Sequence, residues 1–150
     1  MKNCLIGIGM TDLNDTSITI ERLKEARCVF REYRELQDQI QAAYNTYHSP
    51  QFDYVKSSNG KADPVVLAFH KIEKLNDQLD NRLGFISDFE NDLLRINNYE
   101  VQAIIRYRYI LGYTWSQTSR IIYKQNDPSA ARHILNRYLD KSAKENYDGL

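Results

Sequence analysis

Arg132, His133, Asn136 and Arg137 fall within six residues of one another, and at helical spacing they share an outward side with Ser129. Arginine can fork onto guanine, asparagine can pair with adenine, and serine or arginine can hold a phosphate oxygen. Arg132 is the favoured base reader, because it sits in the first turns of its helix, where a recognition helix comes closest to base edges, with Ser129, His133 and Asn136 as neighbours. Thr114, Ser116, Gln117, Arg120, Lys124 and Gln125 are better spaced for phosphate, and Arg137 and Lys141 would continue along the strand. An amphipathic helix needs a polar side whatever it binds, so the charge pattern alone does not separate a DNA-reading surface from a solvated one.

The net charge of +0 conceals an asymmetry. Residues 1–98 carry 12 Lys and Arg against 15 Asp and Glu, a net of −3, whereas residues 99–150 carry 8 against 5, a net of +3. Within residues 99–141 the balance is 7 against 3, so the basic surplus is concentrated where the candidate contacts lie, although a surplus of this size makes only a modest field.

Other chemistry finds no such grouping. There is no Gly-rich phosphate loop, nucleophile elbow or matched pair of catalytic carboxylates, so the chain reads as a non-enzyme with no cofactor. His70 and Glu73 stand three apart, but further metal ligands at suitable spacing are missing, and Cys4 and Cys28 form no pair motif, so they read as structural or solvated. With two cysteines and no basic leader before the apolar opening stretch, the expectation is a reduced, cytoplasmic protein. No run of about 20 apolar residues is present to span a membrane. The 11 Tyr residues read as core filler with wet hydroxyls, the rival use being stacking on unpaired bases. Tyr44, Tyr47, Phe52 and Tyr54 make a candidate partner-binding patch.

These residues must be positioned by helices, since only 6 Gly and 3 Pro punctuate 150 residues. Leu23, Ala26, Phe30, Tyr33, Leu36, Ile40, Ala43 and Tyr47 recur at steps of three and four and predict a helix over 18–47. Residues 48–61 hold the densest turn chemistry and read as a loop. Asp63-Pro64 supplies a cap and a first helical residue. Val66, Phe69, Ile72, Leu75, Leu79, Leu83, Ile86, Phe89 and Leu93 then predict a second helix to about residue 96, and two such stripes would pack as an antiparallel hairpin. A third helix is predicted over 99–111 with Gly112 as its C-cap. Thr114 caps a short helix over 115–123, and Asp127-Pro128 starts a last helix to about residue 141, with Ala131, Ile134, Leu135, Tyr138 and Leu139 facing the core. The expected organisation is all-α: an N-terminal segment 1–17, a long antiparallel helical hairpin 18–97, a C-terminal helix-turn-helix unit 98–141 and a frayed polar tail 142–150.

The segment Ile105-Arg106-Tyr107-Arg108-Tyr109-Ile110-Leu111-Gly112-Tyr113-Thr114-Trp115 resembles the "LRY, two or three residues, G-x-S/T-W" opening of sigma-factor region-four-like helix-turn-helix domains. It is especially similar to the form in small phage transcriptional regulators of the RinA and ArpU type. Ser129-Ala130-Ala131-Arg132-His133-Ile134-Leu135-Asn136-Arg137-Tyr138-Leu139 resembles their recognition helix and closing "R-Y/A-L". Where those proteins usually carry "I-A-x-x-L-G-Y-S", this chain has Thr118-Ser119-Arg120-Ile121-Ile122-Tyr123-Lys124-Gln125-Asn126-Asp127, with no Gly and a slightly longer turn. The likeness covers roughly residues 20 to 141 and implies a role in switching on phage late genes, including the packaging operon, in the host bacterial cell.

Two functions follow as expectations. One is a phage-type transcriptional regulator that binds double-stranded DNA through its C-terminal unit and uses the hairpin for homodimerisation or contact with host RNA polymerase. The other is a phage inhibitor or adaptor that binds a host protein, such as a nuclease or polymerase, and keeps the helix-turn-helix as scaffold.

Overall fold

The computed structural model describes residues 18–47 and 63–148. The expected N-terminal segment, the whole of the 48–61 loop, Cys4, Phe52 and Tyr54 lie outside the described residues. The described chain is all-helical: α1 (Ile20–Tyr47), α2 (Pro64–Leu94), α3 (Tyr99–Ile105), α4 (Trp115–Tyr123) and α5 (Pro128–Asp148).

Each start has a chemical cause. An α-helix leaves its first N–H groups without carbonyl partners, and short polar side chains supply them. Thr19 Oγ1 accepts from the Arg22 N–H at 3.2 Å, and Asp63 Oδ1 from the Val65 N–H at 2.9 Å. Asn98 Oδ1 accepts from both Glu100 and Val101 N–H groups, at 3.0 and 3.2 Å.

The third helix departs from the sequence expectation. It is not a uniform α-helix over 99–111: residues Arg106–Ile110 form a π turn, closed by the Leu111 N–H donating to the Arg106 carbonyl at 2.9 Å. Gly112, at φ 78°, then takes the left-handed conformation that an L side chain disfavours. The last helix also differs, running seven residues past the expected end at Lys141, to Asp148.

Contacts divide the described chain into two compact units, one of residues 18–31 and 86–148, the other of residues 32–47 and 63–85. In the first, Leu23, Ala26, Val29, Phe89, Leu93, Val101, Ile104, Ile105, Ala131 and Leu135 are fully buried. Phe30 meets Phe89 edge-on at 5.9 Å, and Arg22 pairs with Asp92 at 3.1 Å. Taken together these two pairs run in opposite order along α1 and α2. Arg106 of the π turn reaches Glu90 of α2 at 3.0 Å.

In the second unit Ile72 and Leu75 are buried, and Arg82 pairs with Glu32 at 3.1 Å. The apolar stripe of α2 opens here: Val66, Phe69 and Leu83 are 46%, 54% and 42% exposed. Among the described residues, no helix is long and apolar enough to cross a membrane.

Candidate nucleic-acid interface

The candidate residues sit on α4 and its N-cap Thr114, on α5, and on the four residues between the two helices, 124–127. Thr114 opens α4 with a reciprocal cap: its Oγ1 accepts the Gln117 N–H at 3.2 Å, and Gln117 Oε1 accepts the Thr114 N–H at 2.8 Å. Such an arrangement satisfies two otherwise orphaned donors. Lys124 ends α4 in the left-handed conformation at φ 58°, its Nζ donating to the Ile121 carbonyl at 3.2 Å.

Asp127 starts α5. Its Oδ1 accepts the Ser129 N–H at 2.8 Å and the Ser129 hydroxyl at 2.7 Å. Those two bonds hold the Asp127 carboxyl below its ordinary range, with the nearby His133 adding a smaller push in the same direction. Two residues further on, the Ala131 N–H donates to the buried Ser119 hydroxyl at 3.3 Å. That bond joins the start of α5 to the middle of α4, and the two helices pack along their length.

The placement of the candidate residues follows from this frame. Ala131 and Leu135 are buried, and Ile134, Tyr138 and Leu139 half-buried, so the inward side of α5 is as its periodicity predicts. Arg132, His133, Asn136, Arg137 and Lys141 are exposed. His133, Asn136, Arg137 and Lys141 border one shallow concavity with Asp140 and Lys144. Arg137 and Lys141 also line a groove with Arg95, Asn97 and Asn98.

Thr114, Ser116, Gln117, Arg120, Lys124 and Gln125 are exposed as well, but none lines those two concavities. Several have structural duties: Thr114 and Gln117 cap each other, and Lys124 caps the end of α4. Ser129 is half-buried, with its hydroxyl turned onto Asp127.

Arg132, although exposed, also lies against an aromatic ring. Its guanidinium lies 6.0 Å from the centre of the Trp115 ring, and that of Arg108 lies 5.0 Å from the same ring. Tyr109 meets the indole edge-on at 6.3 Å. The periodicity had no means of finding Arg108, because a π turn takes an extra residue per turn and shifts the register of a regular helix.

His70 Nδ1 and Glu73 Oε2 are 3.5 Å apart and both exposed. Among the described residues no three His, Cys, Asp or Glu side chains converge as a metal site. Comparison with family models, curated proteins and solved structures finds no match.

Proposed function

We propose that this chain is a phage-type DNA-binding transcriptional regulator, in which α4, residues 124–127 and α5 act as a helix-turn-helix on duplex DNA. α5 enters the major groove with its outward residues, and α4 crosses above the backbone. In the same reading α1 and α2 form an antiparallel hairpin that pairs two copies of the chain or touches host RNA polymerase.

The observation that carries the reading is the exposed row Arg132, His133, Asn136, Arg137 and Lys141 on a helix buried through Ala131 and Leu135. The helix is docked at its start by Ser119, so the row is presented by a fixed element. The basic surplus of residues 99–141 agrees with a polyanionic partner.

A gel-shift titration with duplex DNA from upstream of phage late genes tests it. Asn136→Ala and Arg137→Ala should each weaken binding to the preferred sequence by roughly tenfold, as expected for loss of one groove contact. Equal binding by wild type and both variants removes the base-reading claim. If the wild type binds no duplex but retains a stoichiometric host protein after nuclease treatment, the adaptor function replaces it, since one scaffold can host either use.

A further inference from the structure

Trp115 is the single tryptophan of the chain, and two guanidinium groups from different elements lie against it. Arg108, from the π turn, is 5.0 Å from the ring centre, and Arg132, from the second turn of α5, is 6.0 Å away. Each guanidinium reaches the ring from a separate segment, so the tertiary packing alone brings the two charges together. Burial, then the charge of Arg27 and less strongly that of Arg132, hold the Arg108 pKa below its ordinary value against an opposing effect of Tyr109. Arg108 Nη1 donates to the Tyr113 carbonyl at 2.7 Å, while its Nε is buried with no partner among the described residues.

Gathering like charges on one indole costs free energy unless something negative joins them. The ring restrains the guanidinium groups, so less freedom is lost when a ligand arrives. Arginine's planar fork matches the oxygens of phosphate. A guanidinium held against a ring beside another cation is also poorly placed to extend along a base edge.

We propose that Arg108 and Arg132, gathered on Trp115, form one phosphate-binding site that grips a single backbone phosphate of the duplex. Arg132 is then an anchor on the backbone and not a base reader, which leaves direct readout to His133, Asn136 and Arg137. The choice of a duplex phosphate rests on the DNA-binding function proposed above; the phosphate site itself rests on the arginines and the indole.

Two measurements on the full chain separate these layers. The first titrates inorganic phosphate and follows tryptophan emission, which reports on Trp115 alone. A saturable change is expected in the wild type, at roughly tenfold higher concentration in Arg132→Ala and in Arg108→Ala, whose folding is checked by circular dichroism. No response, or one unchanged in both variants, overturns the site.

The second measures duplex affinity against salt concentration. Both substitutions should weaken binding by roughly the same factor on every sequence and reduce the slope of log K against log salt by up to about one. If Arg132→Ala instead relaxes preference at one base pair and leaves the slope unchanged, the anchor role is wrong. A saturable phosphate response without any duplex binding by the wild type overturns the DNA-binding function and the anchor together, while upholding the phosphate site.

Discussion

The Ser119 hydroxyl accepts the Ala131 N–H inside the first unit, and both residues are fully buried. Replacing Ser119 with Ala leaves that amide without a partner and out of reach of water, which should cost about 1 to 3 kcal/mol. Urea unfolding of Ser119→Ala measures it, and a midpoint equal to that of the wild type would show that the bond contributes nothing net. This residue was not legible in the sequence. A serine in a short amphipathic helix reads as solvent-facing, and only the tertiary position of α5 gives it a buried donor to satisfy. Arg132 shows the complementary failure: spacing correctly made it an exposed residue of α5, yet spacing carries no information about Trp115 or Arg108, which come from other segments.

At the scale of elements, local chemistry in the sequence was informative. Asp63-Pro64, Thr114 and Asp127-Pro128 each mark a helix start observed in the fold, because a cap needs only neighbours along the chain. Thr114→Ala should therefore lower stability by about 1 kcal/mol. Its midpoint shift in thermal unfolding, compared with Ser116→Ala as a surface control, reads this directly; equal shifts would deny the reciprocal cap. The end of the third helix and the end of α5 were less legible. Gly112 announced the stop, but nothing in the residue types of 106–110 distinguishes a π turn from an α turn, since the difference lies in which carbonyl each N–H finds. In α2 the stripe predicted burial throughout, whereas Val66, Phe69 and Leu83 are exposed; periodicity identifies a helix side without saying how much of it another element covers.

For the molecule as a whole, all-helical architecture was readable from the shortage of Gly and Pro and from the stripes. Its response to pH was not. Two tyrosines hold their protons more tightly in the fold than the ordinary value of 10.0. Burial raises Tyr109 against the opposing charges of Arg108, Arg27 and Arg132. Burial also raises Tyr123, reinforced by the hydrogen bond its hydroxyl donates to Glu100 Oε1 at 2.6 Å. A raised pKa in the fold means that the unfolded chain loses these protons first. The stability they contribute is fully present below pH 10.0 and falls as pH rises beyond it toward their folded values. Thermal unfolding from about pH 8 to about pH 11 should show this decline, and Tyr123→Phe should make it shallower. An unchanged alkaline limb in that variant would mean that Tyr123 does not supply it.

The π turn between Arg106 and Ile110 sets the phase of everything that follows it. One residue in an α-helix corresponds to about 100° of rotation, so the widened turn re-aims Gly112, and the start of α4 behind it, around the helix axis. Deleting a single residue there would restore a regular helix and turn the next element roughly a quarter circle away from its seat. Aligning the third helix with an unwidened counterpart thus calls for a one-residue gap inside the helix, where gaps are ordinarily penalised, and omitting it transfers the wrong residue names onto every position downstream.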